Sequence, residues 1–176
     1  YRKSNKPKIN QLRRNKLTIR TAKTKEEIDI FIDIYYSTMD KVKAADQYYF
    51  SREYFYNFLN AQGFSSKLLL AIKDDKITAG AIFTMSNNIM QYHLSGTHEQ
   101  HIKEEPMKLI IDEARLLANN LNLDYLHLGG GVGGEDTDHL FKFKSGFSKN
   151  TCEFKVWQYI SNIDAYKQLV NDLPTP

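Results

Sequence analysis

The feature that most restricts the fold is a run of three strand-like segments joined by two-residue turns. The segments cover residues 67–73, 76–85 and 89–94, and each is largely apolar. The joints are Asp74-Asp75 and Asn87-Asn88, which suit tight hairpins because Asp and Asn tolerate positive φ. The pattern predicts a three-stranded antiparallel meander.

A basic helix or arm, a strand and two capped helices are expected before this meander. Residues 5–15 indicate a short basic helix or arm, and residues 17–21 a short strand. Thr24 and Glu27 have the spacing of a capping box, so a helix begins there. Ser51 can cap a second helix by accepting a bond from a free backbone amide.

A single β-α-β crossover follows the meander. Pro106 suits the first turn of a helix, and apolar residues then recur at helical spacing from Met107 to Leu121. Residues 123–128 have the composition of a buried strand. A strand that returns after one helix lies parallel to its neighbour, so the predicted sheet is mixed.

The rest of the chain predicts a short helix at residues 138–145, a strand at 153–160 and a last helix at 163–173. The complete order is β-α-α-β-β-β-α-β-α-β-α. This order predicts an α+β fold with a mixed, mostly antiparallel sheet flanked by helices. It is the order of elements in the GNAT acyltransferase fold.

The charge distribution divides the chain into a basic lead-in and an acidic body. Residues 1–25 contain ten Lys or Arg and no acid, and the rest contains 14 basic and 21 acidic residues. We predict a lead-in arm at residues 1–15 and one domain at residues 16–176. Such an arm suits polyanions, namely nucleic acid, nucleotide phosphates or anionic lipid heads. A solvated helix face is the alternative.

The composition excludes several classes of protein. One cysteine permits no intrachain disulfide, no apolar run is long enough to span a membrane, and no signal peptide is visible. We therefore expect a cytoplasmic protein. The first residue is Tyr1 and not Met, which predicts a fragment of a longer chain.

The glycine loop after the last core strand is the first candidate site. Glycines at 129, 131 and 134 match the dinucleotide-binding spacing, but that motif belongs to the first β-α turn of a parallel sheet. The alternative is a strand end where backbone passes close to a ligand, which glycine permits. We predict that Gly129, Gly130 and Gly131 border the substrate.

Two side chains near this loop could take part in chemistry. Lys144 lies between Phe143 and Phe147, so its ammonium could sit in a partly dry pocket and stabilise an oxyanion or hold a phosphate. His93 could be a general base, and Ser95 adds a polar group at the exit of the same strand. A surface lysine and a half-buried structural histidine are the alternatives.

No metal site is expected. His98 and His101 are three residues apart, whereas the His-Glu-x-x-His motif separates its histidines by four, and no third ligand is evident.

Six short motifs, in this order and spacing, resemble the FemABX family of aminoacyltransferases that build peptidoglycan cross-bridges, and its GNAT-like relatives. The motifs are Lys8-x-x-x-x-Arg13-Arg14-Asn15-x-Leu17-x-Ile19, Tyr49-Phe50-Ser51-x-x-Tyr54-Phe55, Ala79-Gly80-Ala81-Ile82-Phe83, Tyr92-His93-Leu94-Ser95-Gly96-Thr97, Leu126-His127-Leu128-Gly129-Gly130-Gly131 and Phe143-Lys144-x-x-Phe147. The resemblance runs through nearly the whole chain.

The resemblance implies a domain in which an amine attacks an activated acyl group. Members of the family usually contain two GNAT-like halves, and this chain resembles the second, so the partner expected is an N-terminal half. The family also implies that Tyr49, Arg52, Tyr54 and Tyr92 line the acceptor side. Lys144 would face the reacting carbonyl.

The acceptor implied is a small-molecule or lipid-linked envelope precursor, and the acyl donor is aminoacyl-tRNA or acyl-CoA, with no permanently bound cofactor. The basic arm could hold tRNA. The sequence departs from the GNAT pattern where the donor would bind. GNAT proteins carry a Gly-x-Gly loop for the pyrophosphate there, whereas residues 95–105 contain one glycine, Gly96. A non-catalytic half that binds substrate or tRNA is the alternative to an enzyme.

Overall fold

The computed structural model describes residues 1–132 and 137–170. Its helices are α1 (Asn5–Arg14), α2 (Lys25–Val42), α3 (Arg52–Leu59), α4 (Met107–Asn120), α5 (His139–Lys144) and α6 (Ile163–Val170), with short 3₁₀ turns at Asp46–Tyr48 and Glu99–Glu104. The strands are β1 (Thr18–Thr21), β2 (Ser65–Lys73), β3 (Lys76–Ser86), β4 (Ile89–Thr97) and β5 (Tyr125–His127). No helix in these ranges is long and apolar enough to cross a membrane.

The five strands form one mixed sheet in chain order. Strands β1 to β4 are antiparallel neighbours, and β5 pairs parallel to β4. The hairpin turns adopt the predicted conformation, with φ of 48° and 60° at Asp74 and Asp75 and the same values at Asn87 and Asn88. The predicted meander, crossover and mixed sheet are therefore confirmed.

Helices cover both faces of the sheet and produce two apolar cores. The first core joins α1 and α4 to one face and includes Ile9, Leu12, Ile110, Ala114, Ala81 and Phe83. The second joins α2 and α3 to the other face and includes Phe31, Tyr35, Phe55, Leu70 and Ile82. Full burial of one Ile, Leu or Phe side chain stabilises the fold by roughly 1.5–3 kcal/mol. Because Ile9 and Leu12 lie in the first core, the basic lead-in is anchored to the sheet through its apolar side.

Capping side chains set where two helices begin, as predicted. The Thr24 hydroxyl accepts from the backbone N–H of Glu27, and the Ser51 hydroxyl accepts from that of Tyr54 at 3.2 Å. Each bond satisfies a donor that would otherwise lack a helical partner.

The predicted strand at residues 153–160 is wrong, because this segment is described but has no regular secondary structure. Its composition is typical of a strand, yet strand preference reflects packing on a half-covered sheet surface. Here Phe154 and Trp157 are 91% and 83% exposed, so no neighbouring strand covers them. The helix predicted for 163–173 forms at Ile163–Val170, and its last three residues lie outside the described residues.

Gly96 offers a test of how closely α2 packs on β4. A Cβ at this position would lie 3.0 Å from the carbonyl oxygen of Ile34 and the backbone nitrogen of Tyr35. Because backbone must move to admit a methyl group, we expect Gly96→Ala to lower the free energy of unfolding by about 1–3 kcal/mol.

The measurement is urea denaturation, with Gly63→Ala as the control. A Cβ at Gly63 would meet no heavy atom within 4 Å, so this variant should be neutral or stabilised by about 0.4–1 kcal/mol. Equal stability of Gly96→Ala and the parent chain would contradict the close approach.

Candidate active site

The sheet opens between β4 and β5. Their parallel pairing covers only three residue pairs, from Ile89 with Tyr125 to Gln91 with His127. Strand β4 continues through residues 92–97 along β3, while β5 ends and the glycine loop begins, with Gly129 at φ 73°. The carboxyl end of the parallel pair is therefore a gap in which backbone and side chains can contact a ligand.

A β-bulge in β4 lies at the start of this gap. Phe83 pairs with Tyr92 and Ile82 with Leu94, so His93 is an extra residue between the two pairs. Bulges redirect side chains and are frequent beside active sites. Tyr92 and His93 lie on opposite faces, as neighbouring strand residues do, whereas the bulge leaves both His93 and Leu94 on the side of the second core.

Lys144 reaches the opening from the last turn of α5. Its Nζ donates to the carbonyl oxygen of Gly130 at 2.8 Å and lies 5.3 Å from the ring centroid of Tyr92. Burial lowers the pKa of Lys144, and the nearby charge of Asp138 opposes part of that shift. The ammonium is thus half-buried beside the glycine loop, where a low local dielectric strengthens its interaction with a developing negative charge.

Asp138 fixes the loop relative to this lysine. Its carboxylate accepts from the backbone N–H of Phe141 at 2.8 Å and from that of Val132 at 3.0 Å. A Cβ at Gly131 would overlap the Asp138 carboxyl group, so the close approach requires glycine. Asp138 is absent from the predicted site residues, although an Asp directly before a helix is an N-cap signal. Gly134 lies outside the described residues.

Tyr92 and Ser95 complete the wall formed by β4. The Tyr92 hydroxyl donates to Ser95 Oγ, and the ring meets Phe83 edge-on with centroids 5.5 Å apart. Burial raises the pKa of Tyr92 to about 12, so the phenol is neutral at pH 7. We call the cluster of Tyr92, Ser95, Gly129, Gly130 and Lys144 the β4–β5 opening.

His93 and Tyr54 lie on the other face of the sheet. The Tyr54 hydroxyl is 3.1 Å from His93 Nε2, and the imidazole stacks on Phe58 at 4.4 Å between centroids. Burial lowers the pKa of His93, which favours the neutral ring. The structure therefore does not bring His93 together with Lys144.

Tyr49 and Arg52 are tied to α2. Arg52 donates to Asp29 at 3.0 Å and also to Asp33, and the Tyr49 hydroxyl donates to Asp40 at 2.9 Å. The structure places them with the second core and not with the β4–β5 opening. Their assignment to the acceptor side stays a prediction.

The acidic segment before α4 is occupied by ion pairs. Glu104 accepts from Lys73 Nζ at 2.9 Å and lies 3.1 Å from His101 Nδ1. Within residues 1–132 and 137–170, no three His, Cys, Asp or Glu side chains are arranged to hold a metal ion.

The sequence matches a known family over most of its length. Residues 1–144 match the family described as Acetyltransferase (GNAT) domain. The chain therefore belongs to the GNAT acetyltransferase family, whose activity is acyl transfer and whose members use acetyl-CoA as a substrate. A comparison with curated proteins gives no match.

Solved structures share the fold. A possible acetyltransferase from Clostridium difficile 630 has a TM-score of 0.63 and 13% identity, covering 83% of this chain and 98% of that one. Ribosomal-protein-alanine N-acetyltransferase from Brucella melitensis biovar Abortus 2308 has a TM-score of 0.60 and 16% identity, covering 83% and 99%. At these identities the likeness establishes the GNAT fold alone.

The environment of His93 predicts a pH-dependent stability. Because burial lowers its pKa in the folded chain, the unfolded chain binds the proton more readily and stability falls as pH drops below about 6.5. We expect the urea midpoint to decrease between about pH 8 and pH 5.5.

The control is His93→Gln, which keeps a polar side chain but cannot titrate. Part of the decrease should disappear in this variant. An identical decrease in both proteins would show that protonation of His93 is not coupled to folding.

Proposed function

We propose that this domain is an acyl or aminoacyl transferase that forms an amide bond on a cell-envelope precursor, as FemABX enzymes do. The observation that carries the proposal is the half-buried Lys144 ammonium, 2.8 Å from Gly130 O in the β4–β5 opening. Membership of the GNAT family supports acyl transfer. The envelope acceptor and a preceding GNAT-like half rest on the FemABX-like motifs, whose order and spacing carry the resemblance.

In the proposed reaction the acyl carbonyl of the donor enters the β4–β5 opening. An amine of the acceptor attacks the carbonyl carbon, a C–N bond forms, and negative charge develops on the carbonyl oxygen. Lys144 stabilises this charge from a position that is already fixed, so little reorganisation is needed. The intermediate then collapses as the bond to the leaving group breaks, and the leaving group receives the proton lost by the amine.

Tyr92 and His93 have different places in this scheme. The neutral Tyr92 ring supports the ammonium through its π face. Burial favours the neutral His93 ring that a base requires, but its Nε2 is hydrogen-bonded to Tyr54 on the opposite face. We therefore assign proton transfer to the substrates and leave His93 outside the reaction.

The start of α4 favours aminoacyl-tRNA over acyl-CoA as the donor. A pyrophosphate there would meet Glu104 and Glu105, which already pair with Lys73 at 2.9 Å and Lys108 at 2.7 Å. Gly96 cannot supply a loop because its backbone is packed against α2. The two glutamates directly before α4 therefore put negative charge beside the helix N-terminus, where an anion would otherwise bind.

The test is the turnover of Lys144→Ala in the full-length protein, with acyl-CoA and aminoacyl-tRNA offered in parallel. Loss of a preorganised charge at the oxyanion should reduce kcat by about 10²–10³. Lys142→Ala is the matched control, since Lys142 lies on the same helix and is exposed, and it should keep parental turnover and stability. Unchanged kcat in Lys144→Ala would show that this residue has no role in the mechanism. If the parent protein binds a donor but shows no turnover, the result would favour a non-catalytic half.

The lowered pKa of Lys144 also predicts an alkaline limit of activity. The ammonium is present below its pKa and lost above it, so turnover should fall at a lower pH than an ordinary lysine would give. Lys144→Arg should move this fall to higher pH because a guanidinium keeps its proton. A pH profile of kcat that is unchanged in Lys144→Arg would contradict an essential charge on Lys144.

A further inference from the structure

Asn5, the first residue of α1, has a polar side chain that is only 5% exposed. Among the residues that the structure describes, the other buried polar or charged side chains are Thr78 and Asp112. Thr78 donates to Ala71 O on the neighbouring strand, and Asp112 joins α4 to α1. A buried amide costs free energy unless it is hydrogen-bonded. The partner of the Asn5 amide is Gly146 O, directly after α5, at 3.0 Å.

The carbonyl oxygen of Gly146 accepts two hydrogen bonds from the lead-in. The Arg2 backbone N–H donates at 2.7 Å, and Asn5 Nδ2 donates at 3.0 Å. A Cβ at Gly146 would lie 2.9 Å from Asn5 Nδ2 and 3.0 Å from the carbonyl oxygen of Phe143, so this close approach requires glycine. The start of α1 is therefore fixed directly to the backbone that follows α5.

That backbone is continuous with the turn that carries Lys144. The Gly146 N–H donates to Phe143 O at 3.1 Å, and the Phe147 N–H donates to Lys144 O at 3.0 Å. These bonds close the turn, so a displacement of Gly146 also displaces the backbone of Lys144. The other end of α5 is fixed by its N-cap, Asp138. Helix α5 is thus held at both ends, by the glycine loop and by the lead-in.

Apolar packing also holds α5, but it leaves the direction of Lys144 open. Phe143 and Phe147 pack in or against the first core, and their ring centroids lie 5.5 Å apart. Such packing is non-directional, whereas a hydrogen bond requires its donor and acceptor to be aligned. The bond from Asn5 therefore restricts rotation at the end of α5. That rotation decides whether Lys144 Nζ reaches Gly130 O, which is 2.8 Å away.

We infer that Asn5 is a positioning residue, which acts through Gly146 to hold the Lys144 ammonium at the β4–β5 opening. This inference rests on the proposed function, in which Lys144 stabilises the oxyanion. A preorganised charge is effective because it is already fixed where negative charge develops, and a misplacement of about 1 Å costs about 10² in rate. The lead-in, predicted as a separate arm, thus contributes to the geometry of the site.

The first test is Asn5→Leu in the full-length protein, which keeps a side chain of similar size but removes the donor to Gly146 O. Competitive labelling with acetic anhydride over a pH series, read by mass spectrometry, measures the pKa of Lys144. Lys142 on the same helix is exposed and serves as the internal reference. Burial lowers the pKa of Lys144 in the parent. Release of α5 should expose the ammonium, so we expect this pKa to rise toward that of an ordinary lysine.

The second measurement is the turnover of Asn5→Leu with the donor that the parent uses. We expect kcat and kcat/KM to fall together by about 10–10², because the contact that is lost acts in the transition state. The ammonium of Lys144 is present below its pKa, so a raised pKa should also move the alkaline limit of turnover to higher pH. A variant that is only less stable would not show this movement.

The matched control is Ile9→Val, on the same helix. Ile9 is buried in the first core, so loss of one methyl group should lower the urea midpoint without removing a hydrogen bond to α5. The control should keep the parental pKa of Lys144 and the parental kcat. An equal change in Asn5→Leu and Ile9→Val would overturn the inference, because Lys144 would then respond to any loosening of α1.

Gly146→Ala tests the same contact from the other side and keeps the inference testable if Asn5→Leu does not fold. The added methyl group should displace the Asn5 amide and raise the pKa of Lys144 in the same direction. A parental pKa of Lys144 in either folded variant would overturn the inference. If Lys144→Ala loses turnover while both variants match the parent, the positioning role alone fails. If Lys144→Ala keeps parental kcat, the proposed function fails and the inference fails with it.

Discussion

The candidate site depends on how early the parallel pairing of β4 and β5 ends. Only three residue pairs join these strands, although β4 continues to Thr97. Two local features prevent a longer ladder. His93 forms a bulge in β4, and Gly129 turns the chain at positive φ directly after β5. Unpaired backbone within a sheet is costly unless another group satisfies it, so a gap at this place favours a ligand.

The two-sided packing of the sheet decides which residues can act together. Lys144 and Tyr92 belong to the side covered by α1 and α4, because Tyr92 lies in the first core and Lys144 Nζ lies 5.3 Å from the centroid of its ring. His93 belongs to the side covered by α3, where it stacks on Phe58. Tyr92 and His93 are separated in this way because successive strand residues point to opposite faces.

Local sequence signals predicted much of the fold. Turn chemistry gave the two hairpins at Asp74-Asp75 and Asn87-Asn88, and caps at Thr24 and Ser51 gave two helix starts. The features that local signals missed involve contacts between distant segments. Residues 153–160 have the composition of a strand, but composition cannot supply a partner edge. Arg52 bonds to carboxylates on α2 that lie 19 and 23 residues away, and no local pattern indicates that pairing.

Acidic side chains consume positive charge within the fold both at the start of α4 and along its side. Before α4, Glu104 and Glu105 pair with Lys73, Lys8 and Lys108. On α4 itself, Asp112 pairs with Arg13 and Arg115, and Glu113 pairs with Arg13. Exposed ion pairs contribute little to stability, so the buried carboxylate of Asp112 is the partner that fixes the basic helix α1 against α4.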